Sequence, residues 1–592
     1  MSALYLLQFF IFSVCINSFT LFAYFVYNYD IILNSYHSKL QLEYDFIIVG
    51  SGTAGSLIAH RLATETNYTF IVLEAGSQSH TLLEIPVLGP LLHGTVHDWG
   101  FETVPQEYAC LAMVDNKCKQ TQGKILGGSS KLNNMIHIRG NISHYVDWFE
   151  GMFTEEFFSK QFELVENKGF FIHDILYESE LSDTIINAAI ELGYETIDKD
   201  FKKGFMKTKL TQKDGKRWTT SDNLDITKHV ITNALVEKVL IENMKCIGVK
   251  LHNAGEVHAK RGVILSAGAF NSPKILQLSG IGPKKLLKSL NIPVVKDLPV
   301  GKNLQDHVGS GLDLILFNKS ISIGPLNMLN PSNIFKYFVE GIGPFTHPGC
   351  EVVGFLSTKN DTVPDIQFMV LPIGVSTDRG VKLKDSIALK SSAWDNYFVK
   401  LFNKHTATMF PTVLHPKSKG EVYITSRDPL QKPAIDPKYF SNKDDVKVLV
   451  DGFKLVKIFV ESESMKKLGA HINELHFPGC EKHTIFSNSY WECYIRHLTL
   501  TSYHPVGTCS MGLTHESSSV VDTSFQVIGV EGLYVADSSV LPSLPSGNIN
   551  AAVAMMASIF FESNIKSKLG DIWEKNGGYC FRDDLFLRIC VK

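Results

Sequence analysis

Four residues near the start of the chain have the types and spacing that hold a dinucleotide. Gly50, Gly52 and Gly55 follow one apolar strand and open a helix, and Glu74 ends a second apolar strand about twenty residues further on. Gly50 permits a tight turn, Gly52 lets the backbone approach a pyrophosphate, and Gly55 lets helix and strand pack closely. The helix N-terminus offers N–H groups to the phosphates, and Glu74 can accept from ribose hydroxyls. The pattern predicts dinucleotide binding and leaves FAD and NAD open.

Three further motifs combine glycine with small polar residues. Residues 123–134 hold two adjacent glycines and two adjacent serines, which suit a loop pressed against a polar ligand. In residues 262–282 an apolar strand ends at a glycine, and Ser272-Pro273 then has the chemistry of a helix N-cap and first position. The last of the three spans residues 301–307 and ends in Asp-His.

Length and composition set the class of protein. At 592 residues the chain is too long for one hydrophobic core, so two domains are expected. The formal charge of −3 gives no electrostatic footprint for nucleic acid. No Cys-x-x-Cys pair or His/Cys cluster suggests a metal site. We therefore expect a globular enzyme with neither a nucleic-acid partner nor a metal.

Together with residues 504–512, 533–542 and 547–551, these motifs resemble the glucose–methanol–choline (GMC) family of FAD-dependent oxidoreductases, in its animal glucose-dehydrogenase-like branch. The resemblance implies a mixed α/β fold with a Rossmann-like FAD-binding domain and a substrate-binding domain built on an antiparallel sheet flanked by helices. The implied segments are a discontinuous FAD domain at 44–150, 216–310 and 500–565, a variable lid at 151–215, a substrate domain at 311–499 and a tail at 566–592.

The resemblance also implies which residues hold FAD. For the ADP half they are Gly50, Gly52, Thr53, Ala54, Gly55, Glu74 and the backbone of Val236. For the flavin half they are Gly127, Gly128, Ser130, Asn133, Asn134, Asp537, Asn548, Asn550 and Ala551. Some family members attach FAD covalently through a histidine in the glycine-serine motif. Leu132 stands at that place and cannot form such a bond, so we expect dissociable FAD.

Oxidising an alcohol requires a group that accepts the hydroxyl proton while a hydride leaves carbon for the flavin. A histidine suits this role because its pKa lies near neutrality, but the chain has 21 histidines. By resemblance His504 is the base and Asn548 donates to the substrate oxygen as an alkoxide develops. Asn550 is a second candidate for that donor, although flavin contact suits it better. His307 belongs to a family motif and is expected to be structural.

Candidate substrate contacts are Glu351 and His137. Glu351 matches a family stretch that lines the pocket in several members, where a buried acid would select a cationic or polyhydroxylated substrate. A structural ion pair is the alternative role. His137 stands where the family usually has an aromatic residue. His347 and His415 lie in the substrate-domain region and are weaker candidates.

The N-terminus and the cysteines indicate the compartment. No residue from Ala3 to Tyr27 is charged, so residues 1–30 are expected to be a signal peptide or a membrane anchor, with a buried helix as the alternative. Signal and anchor both lead into the secretory pathway, as a secreted or a tethered protein. Glycosylation sequons begin at Asn67, Asn141, Asn318 and Asn360, and the close pairs Cys110/Cys118 and Cys580/Cys590 could form disulfides there.

Two classes of function remain open. The first is an FAD-dependent dehydrogenase or oxidase of a sugar, steroid or small alcohol, with a quinone or oxygen as electron acceptor. The second is a flavin- or ligand-binding protein that has lost catalysis. Bleaching of bound flavin by an alcohol without oxygen distinguishes them. A third reading, an NAD reductase, predicts no flavin absorbance after purification.

Overall fold

The computed structural model describes residues 40–197, 202–321, 328, 330–359, 361–512 and 518–566, and only the backbone of 226–227, 579–582 and 588–591. The predicted signal or anchor, most of the tail and the sequon at Asn360 lie outside these residues. Within the described part of the chain, no helix combines the length and the apolar character that a bilayer crossing requires.

The first sheet, as far as the structure describes it, has seven strands and is parallel over most of its width. In order of neighbours its strands are Val236–Glu242, Lys245–Leu251, Gly255–Leu265, Glu43–Val49, Phe70–Leu73 and Val230–Ile231, with Leu533–Val535 also paired to Gly255–Leu265. The first three strands pair antiparallel, and every other pairing is parallel. Phe70–Leu73 is buried throughout, which explains its uninterrupted apolar sequence.

The second sheet has eight antiparallel strands among the described residues. In order they are Ala470–Ile472, Ile315–Phe317, His405–Val413, Ile366–Leu371, Val352–Leu356 and Gly204–Lys207, with Val308–Gly309 joining His405–Val413 to Leu500–Thr501. Gly204–Lys207 comes from the segment that was predicted as a lid, so part of that segment packs with the second sheet. The domain boundaries themselves stay a prediction.

Helices and short ribbons complete the two layers. The ribbons pair Phe101–Glu102 with Lys119–Gln120, Lys209–Lys213 with Ile172–Asp174 and Lys216–Arg217, Glu421–Tyr423 with Ala434–Asp436, and Tyr579–Arg582 with Arg588–Val591. The described α-helices are Thr53–Glu65, Ile142–Trp148, Glu155–Lys168, Glu180–Glu191, Ile226–His229, Gly268–Leu278, Lys284–Ser289, Pro331–Glu340, Leu383–Ser386, Ser391–Asn396, Lys443–Val460, Glu463–Leu468, Asn488–His497 and Asn550–Phe561.

Each sheet has its own hydrophobic core. Thr53–Glu65 and Asn550–Phe561 pack against each other and contribute to the core of the first sheet. Lys443–Val460 contributes to the core of the second sheet. The N-terminus of Lys443–Val460 is stabilised by its sequence, because Asn442 caps it and two aspartates lie in its first turn.

One predicted helix start is wrong. The helix Gly268–Leu278 begins before Ser272-Pro273, and Pro273 lies inside it. A proline has no N–H, so the carbonyl of Ala269 loses its helical partner. Thr508 Oγ1 donates to that carbonyl at 2.7 Å, which compensates for the missing bond. A contact between residues this distant in sequence cannot be read from the local pattern.

Two disulfides are present in the described residues. Cys110–Cys118 confirms the predicted pair, and Cys480–Cys493 was not predicted. Cys580 and Cys590 face each other in the backbone register of the C-terminal ribbon. A bond between them stays a prediction.

Candidate active site

A cavity of about 640 Å³ lies between the two sheets. Gly50 and Glu74 line it directly after strands of the first sheet, and Asp537 lines it two residues after another. Met369 and Phe410 line it from strands of the second sheet. Ligand sites of parallel α/β sheets lie at this carboxyl edge. The cavity therefore occupies the place where a nucleotide cofactor and a substrate can meet.

Most of the residues predicted for the cofactor line this cavity, but Gly55, Gly127 and Ala551 lie behind its wall. A Cβ on Gly55 would lie 2.1 Å from Gly50 O, so glycine is needed there for close packing. Gly127 has a φ of +95°, which favours glycine. Ala551 is buried in the helix Asn550–Phe561. These three residues shape the wall.

The helix Thr53–Glu65 presents a bare N-terminus to the cavity. Its N-cap is Gly52, and no side chain caps it. A Cβ on Gly52 would find no atom within 4 Å, so the backbone borders open space. Uncapped N–H groups and the helix dipole favour an anion at this point. The site thus fits the pyrophosphate of FAD.

Glu74 lies in the wall with its carboxylate partly occupied. Oε2 accepts from Ser51 N and Ser51 Oγ at 2.9 and 2.7 Å, and Oε1 accepts from Gly76 N at 2.7 Å. Burial raises the pKa of Glu74, while these hydrogen bonds act in the opposite direction. A carboxylate has about four acceptor positions, so one is left for a ribose hydroxyl.

The glycine-serine motif presses against the first glycine loop. A Cβ on Gly128 would lie 2.9 Å from the Cα of Gly52. The buried guanidinium of Arg217 fixes the rest of the motif, because Nη1 donates to Ser130 O at 3.0 Å and to Asn133 Oδ1 at 2.8 Å. Asn133 therefore reaches the cavity with its side-chain oxygen already bound.

The C-terminal part of the chain closes this half of the cavity. Thr53 Oγ1 donates to Asn550 Oδ1 at 2.6 Å, which ties the start of the first helix to the start of the last. Asp537 accepts from Gly268 N at 2.9 Å and from Ser272 Oγ at 2.5 Å. Burial raises the pKa of Asp537 against the effect of these bonds. Asn550 thus lines the cavity with its side-chain oxygen bound to the chain itself.

His504 lies on the cavity wall beside Asn548. Asn548 Nδ2 is 3.3 Å from His504 Nε2, and Gln367 Nε2 donates to Asn548 Oδ1 at 3.1 Å. On its other side, His504 Nδ1 lies 2.9 Å from Nδ1 of the buried His307. The backbone N–H of His504 donates to Asp306 at 2.9 Å. The imidazole is therefore held at two points, and the backbone of the same residue at a third.

The hydrogen-bond partners determine which nitrogen of His504 carries a proton. His307 Nε2 faces the carbonyl of Leu414 at 3.0 Å, and a carbonyl only accepts, so this nitrogen is protonated. In neutral His307, Nδ1 is then an acceptor and must receive a proton from His504 Nδ1. Neutral His504 consequently has a bare Nε2, which faces Asn548.

Burial keeps this pair of histidines neutral. It lowers the pKa of His504 from 6.5 to about 3. Burial and, next, the charges that His504 and His415 would carry lower the pKa of His307 well below 6.5, against smaller effects of two carbonyls. The neutral tautomer is therefore the resting form of the site.

Comparison with known proteins decides the family. Family models described as GMC oxidoreductase match residues 44–309 and 416–557. The glucose dehydrogenase (FAD, quinone) of Drosophila melanogaster is 31% identical over 556 residues, which are 88% of this chain and 87% of that protein. The ecdysone oxidase of Spodoptera littoralis is 30% identical over 570 residues, with coverage of 89% and 92%. The chain belongs to the GMC oxidoreductase family.

A solved structure supports the fold of this GMC oxidoreductase. Pyridoxine 4-oxidase from Mesorbium loti superposes with a TM-score of 0.71 at 24% identity, covering 87% of this chain and 98% of that one. The predicted α/β FAD-binding fold, the oxidoreductase class and the FAD cofactor are confirmed.

Glu351 does not reach the cavity of this GMC oxidoreductase. Its carboxylate is fully buried and accepts from Ser179 N at 2.5 Å, from Ser179 Oγ at 2.7 Å and from His347 Nε2 at 3.1 Å. His347 does line the cavity, but Nδ1 accepts from Gly349 N at 3.1 Å. Both side chains are bound by groups of the chain itself, so the structural alternative fits Glu351 better than substrate selection.

His137 and His415 also lie away from the cavity wall. His137 Nε2 is 2.9 Å from Glu166 Oε1, a contact that holds the ring behind the wall. His415 Nε2 is 3.2 Å from Ser546 Oγ, and burial lowers its pKa to about 4. Neither histidine is placed to meet a substrate.

Sequence reasoning missed two supports of the site. Arg217 orders the glycine-serine loop, and Gln367 orients Asn548. A buried arginine and a glutamine within a strand have no local signature that separates them from surface residues. Only the tertiary contacts identify them.

Proposed function

We propose that this chain oxidises the CH–OH group of an alcohol, with His504 as the base and Asn548 as the donor to the substrate oxygen. When bound, FAD supplies the hydride acceptor at N5. The proposal rests on the 3.3 Å pair of His504 Nε2 and Asn548 Nδ2 on the cavity wall. One hydroxyl can donate to the first atom and accept from the second.

The surrounding residues favour this exchange. His504 takes the hydroxyl proton at Nε2, while its Nδ1–H stays bonded to His307. An imidazolium is unfavourable in the buried site, so it forms together with the alkoxide beside it. The amide of Asn548 is held by Gln367 through its oxygen, and of its two N–H groups one can donate to the oxygen that becomes charged.

We also propose that FAD is held without a covalent bond. Leu132, at the place of the family's histidine, lines the cavity with an aliphatic side chain. Acid precipitation should therefore release all the flavin into the supernatant. Flavin remaining in the pellet would contradict this.

We propose a quinone as the electron acceptor, because the similar Drosophila enzyme carries that acceptor in its name. We propose the secretory pathway as the location. Two disulfides support it, and Asn67 and Asn318 are exposed. Secretion and a tether through residues 3–27 are the two forms this can take.

We keep the domain division as a proposal as well. It assigns residues 44–150, 216–310 and 500–565 to FAD and 311–499 to the substrate. Every described residue of the first sheet's strands except Glu43 lies in the ranges assigned to FAD, which supports this division.

The decisive experiment is anaerobic mixing of the FAD-loaded full-length protein with a panel of alcohols, followed by flavin absorbance. We expect bleaching, with reoxidation faster by a quinone than by oxygen. H504A should lower kcat/KM about 10²- to 10⁴-fold at unchanged flavin content, the usual contribution of a general base.

H415N is the matched control, because His415 is a half-buried histidine whose pKa is also lowered, to about 4, and it lies away from the wall. It should retain wild-type rates within about threefold. Flavin that no alcohol bleaches would favour the non-catalytic binding protein. Equal rates in wild type and H504A would remove His504 from the mechanism.

A further inference from the structure

The second sheet covers the reacting position, which is the space beside His504 Nε2 and Asn548 Nδ2, with an apolar face. Gln367, Met369 and Leu371 alternate along the strand Ile366–Leu371, so their side chains point to one side. The bond from Gln367 to Asn548 shows that this side faces the reacting position. Met369 and Leu371 then follow at about 7 and 13 Å along the strand.

The neighbouring strand continues this face. Phe410 pairs with Met369, Thr408 pairs with Leu371, and all four line the cavity. Thr408 Oγ1 already accepts from Asp313 N at 3.4 Å. The four side chains form a band that leads away from the base.

Aliphatic side chains extend the wall to the surface. Leu312 and Val375 line it beside the second sheet, and Leu383 and Ile387 line it further along the chain. Leu91 also lines the cavity and is 45% exposed, so the cavity reaches solvent there. A ligand passing this opening meets mainly hydrocarbon.

The acids in the described wall are engaged by the chain. They are Glu74, Asp378 and Asp537, and the carboxylate of Asp378 accepts from the N–H groups of Gly380, Lys382 and Leu383 at 2.8, 2.8 and 2.6 Å. Each of Glu74 and Asp378 thus keeps about one acceptor position, so a cationic substrate would find no carboxylate on the described wall that is free of the chain's own hydrogen bonds. Each added hydroxyl of a sugar would lose water without a partner on the apolar band.

We propose that the substrate is an alcohol carried on an extended apolar carbon skeleton, which lies along the band Met369, Leu371, Thr408 and Phe410. This proposal rests on the proposed function, because it places the hydroxyl between His504 and Asn548. Sugars and quaternary ammonium alcohols are excluded as preferred substrates.

The test uses straight-chain primary alcohols from butanol to dodecanol with the FAD-loaded full-length protein. Burying one methylene is worth about 0.8 kcal/mol, so kcat/KM should rise roughly fourfold per added carbon until the band is filled. Glucose and choline should react at least about a hundredfold more slowly than decanol.

Two variants test the band directly. M369Q keeps the side-chain length but adds a polar amide, and L371N does the same further out, so each should flatten the rise with chain length. V381N is the control, because Val381 is exposed and does not line the cavity. It should leave the rise unchanged.

Binding measured by perturbation of the flavin spectrum separates this proposal from the proposed function. If no alcohol is oxidised but Kd falls about fourfold per carbon, the band stands and the catalytic proposal fails. If alcohols are oxidised without dependence on chain length, or glucose or choline is preferred, the band is refuted and catalysis stands.

Discussion

The backbone carbonyl of Leu414 determines which nitrogen of His504 accepts a proton, although it does not touch His504. It does so through His307, whose two ring nitrogens connect the carbonyl to the base. His307 was expected to be structural. Under the proposed function, the geometry makes it a positioning residue for His504.

H307L should therefore impair the base without disturbing the cofactor. His504 Nδ1–H would lose its acceptor and become a buried unsatisfied donor. Such a donor costs about 1–3 kcal/mol, so kcat/KM should fall roughly five- to 150-fold. Flavin content should stay at the wild-type level. Nitrogen NMR of His504 should show a mixture of tautomers in place of one.

H307N is the matched control, because an amide oxygen can still accept from His504 Nδ1. It should recover most of the rate lost in H307L. A loss of equal size in both variants, with the tautomer of His504 unchanged, would assign His307 a packing role only.

The pH dependence of the rate follows from the lowered pKa of His504. A base acts in its neutral form, and burial lowers the pKa from 6.5 to about 3. With decreasing pH, kcat/KM for the reductive step should therefore stay constant to about pH 5 rather than fall near 6.5. Stopped-flow reduction of the flavin measures this.

Asp306 is the group to control for in that profile. Burial raises its pKa to about 6, although it accepts hydrogen bonds from Thr501, Tyr439 and the backbone of His504. D306N removes its titration. An acid limb near pH 6.5 that persists in D306N would show that His504 titrates normally.

At the scale of elements, the start of the helix Thr53–Glu65 contains two glycines with different constraints. Gly55 has no space for a side chain, because its Cβ would meet Gly50 O at 2.1 Å. Gly52 has space, because its Cβ would enter the cavity. One glycine is required by the packing of the chain, and the other borders open space in the cavity.

G52A and G55A should consequently separate binding from stability. G52A should weaken FAD affinity at least about tenfold and leave the melting temperature of the apoprotein unchanged, because its methyl group occupies the ligand's space. G55A should lower the melting temperature, since a backbone atom must move. Fluorescence titration with FAD and thermal unfolding of both variants test this.

Equal loss of stability in the two variants would contradict this division.

The sequence predicts the local part of these elements well. Apolar runs and glycines with special backbone roles identify the strands and loops that surround the nucleotide. The helix start at Ser272-Pro273 was misplaced because Thr508 satisfies the carbonyl that Pro273 leaves free. The sequence left two roles open for Glu351 for a related reason: its partner Ser179 lies far away in sequence.

At the scale of the molecule, the chain crosses between its two cores. Two strands of the second sheet are Val308–Gly309 and Leu500–Thr501. Each lies within four residues of one of the paired histidines, His307 and His504. The site therefore depends on both cores, and a substitution that destabilises one core should also weaken the binding of the cofactor.

L449A tests this dependence. Leu449 is fully buried in the second core, and removing its side chain should cost about 2–5 kcal/mol. In urea, the midpoints of flavin release and of loss of circular dichroism should both decrease, and together. K447A, an exposed change on the same helix, should shift neither.

Flavin release that keeps its wild-type midpoint in L449A would show that the first core unfolds on its own. The contacts between the sheets would then add nothing to cofactor retention.

The first sheet joins Glu43–Val49 to Leu533–Val535, and the cavity also needs the start of Asn550–Phe561. Ribosomes add about 5–20 residues per second, so the nascent chain waits roughly 25–100 s between making its first and last contributions to this sheet. The cavity is therefore completed only after residue 550 has been made, and a chain that stops before it would lack Asn550 and Val553 from the cavity wall.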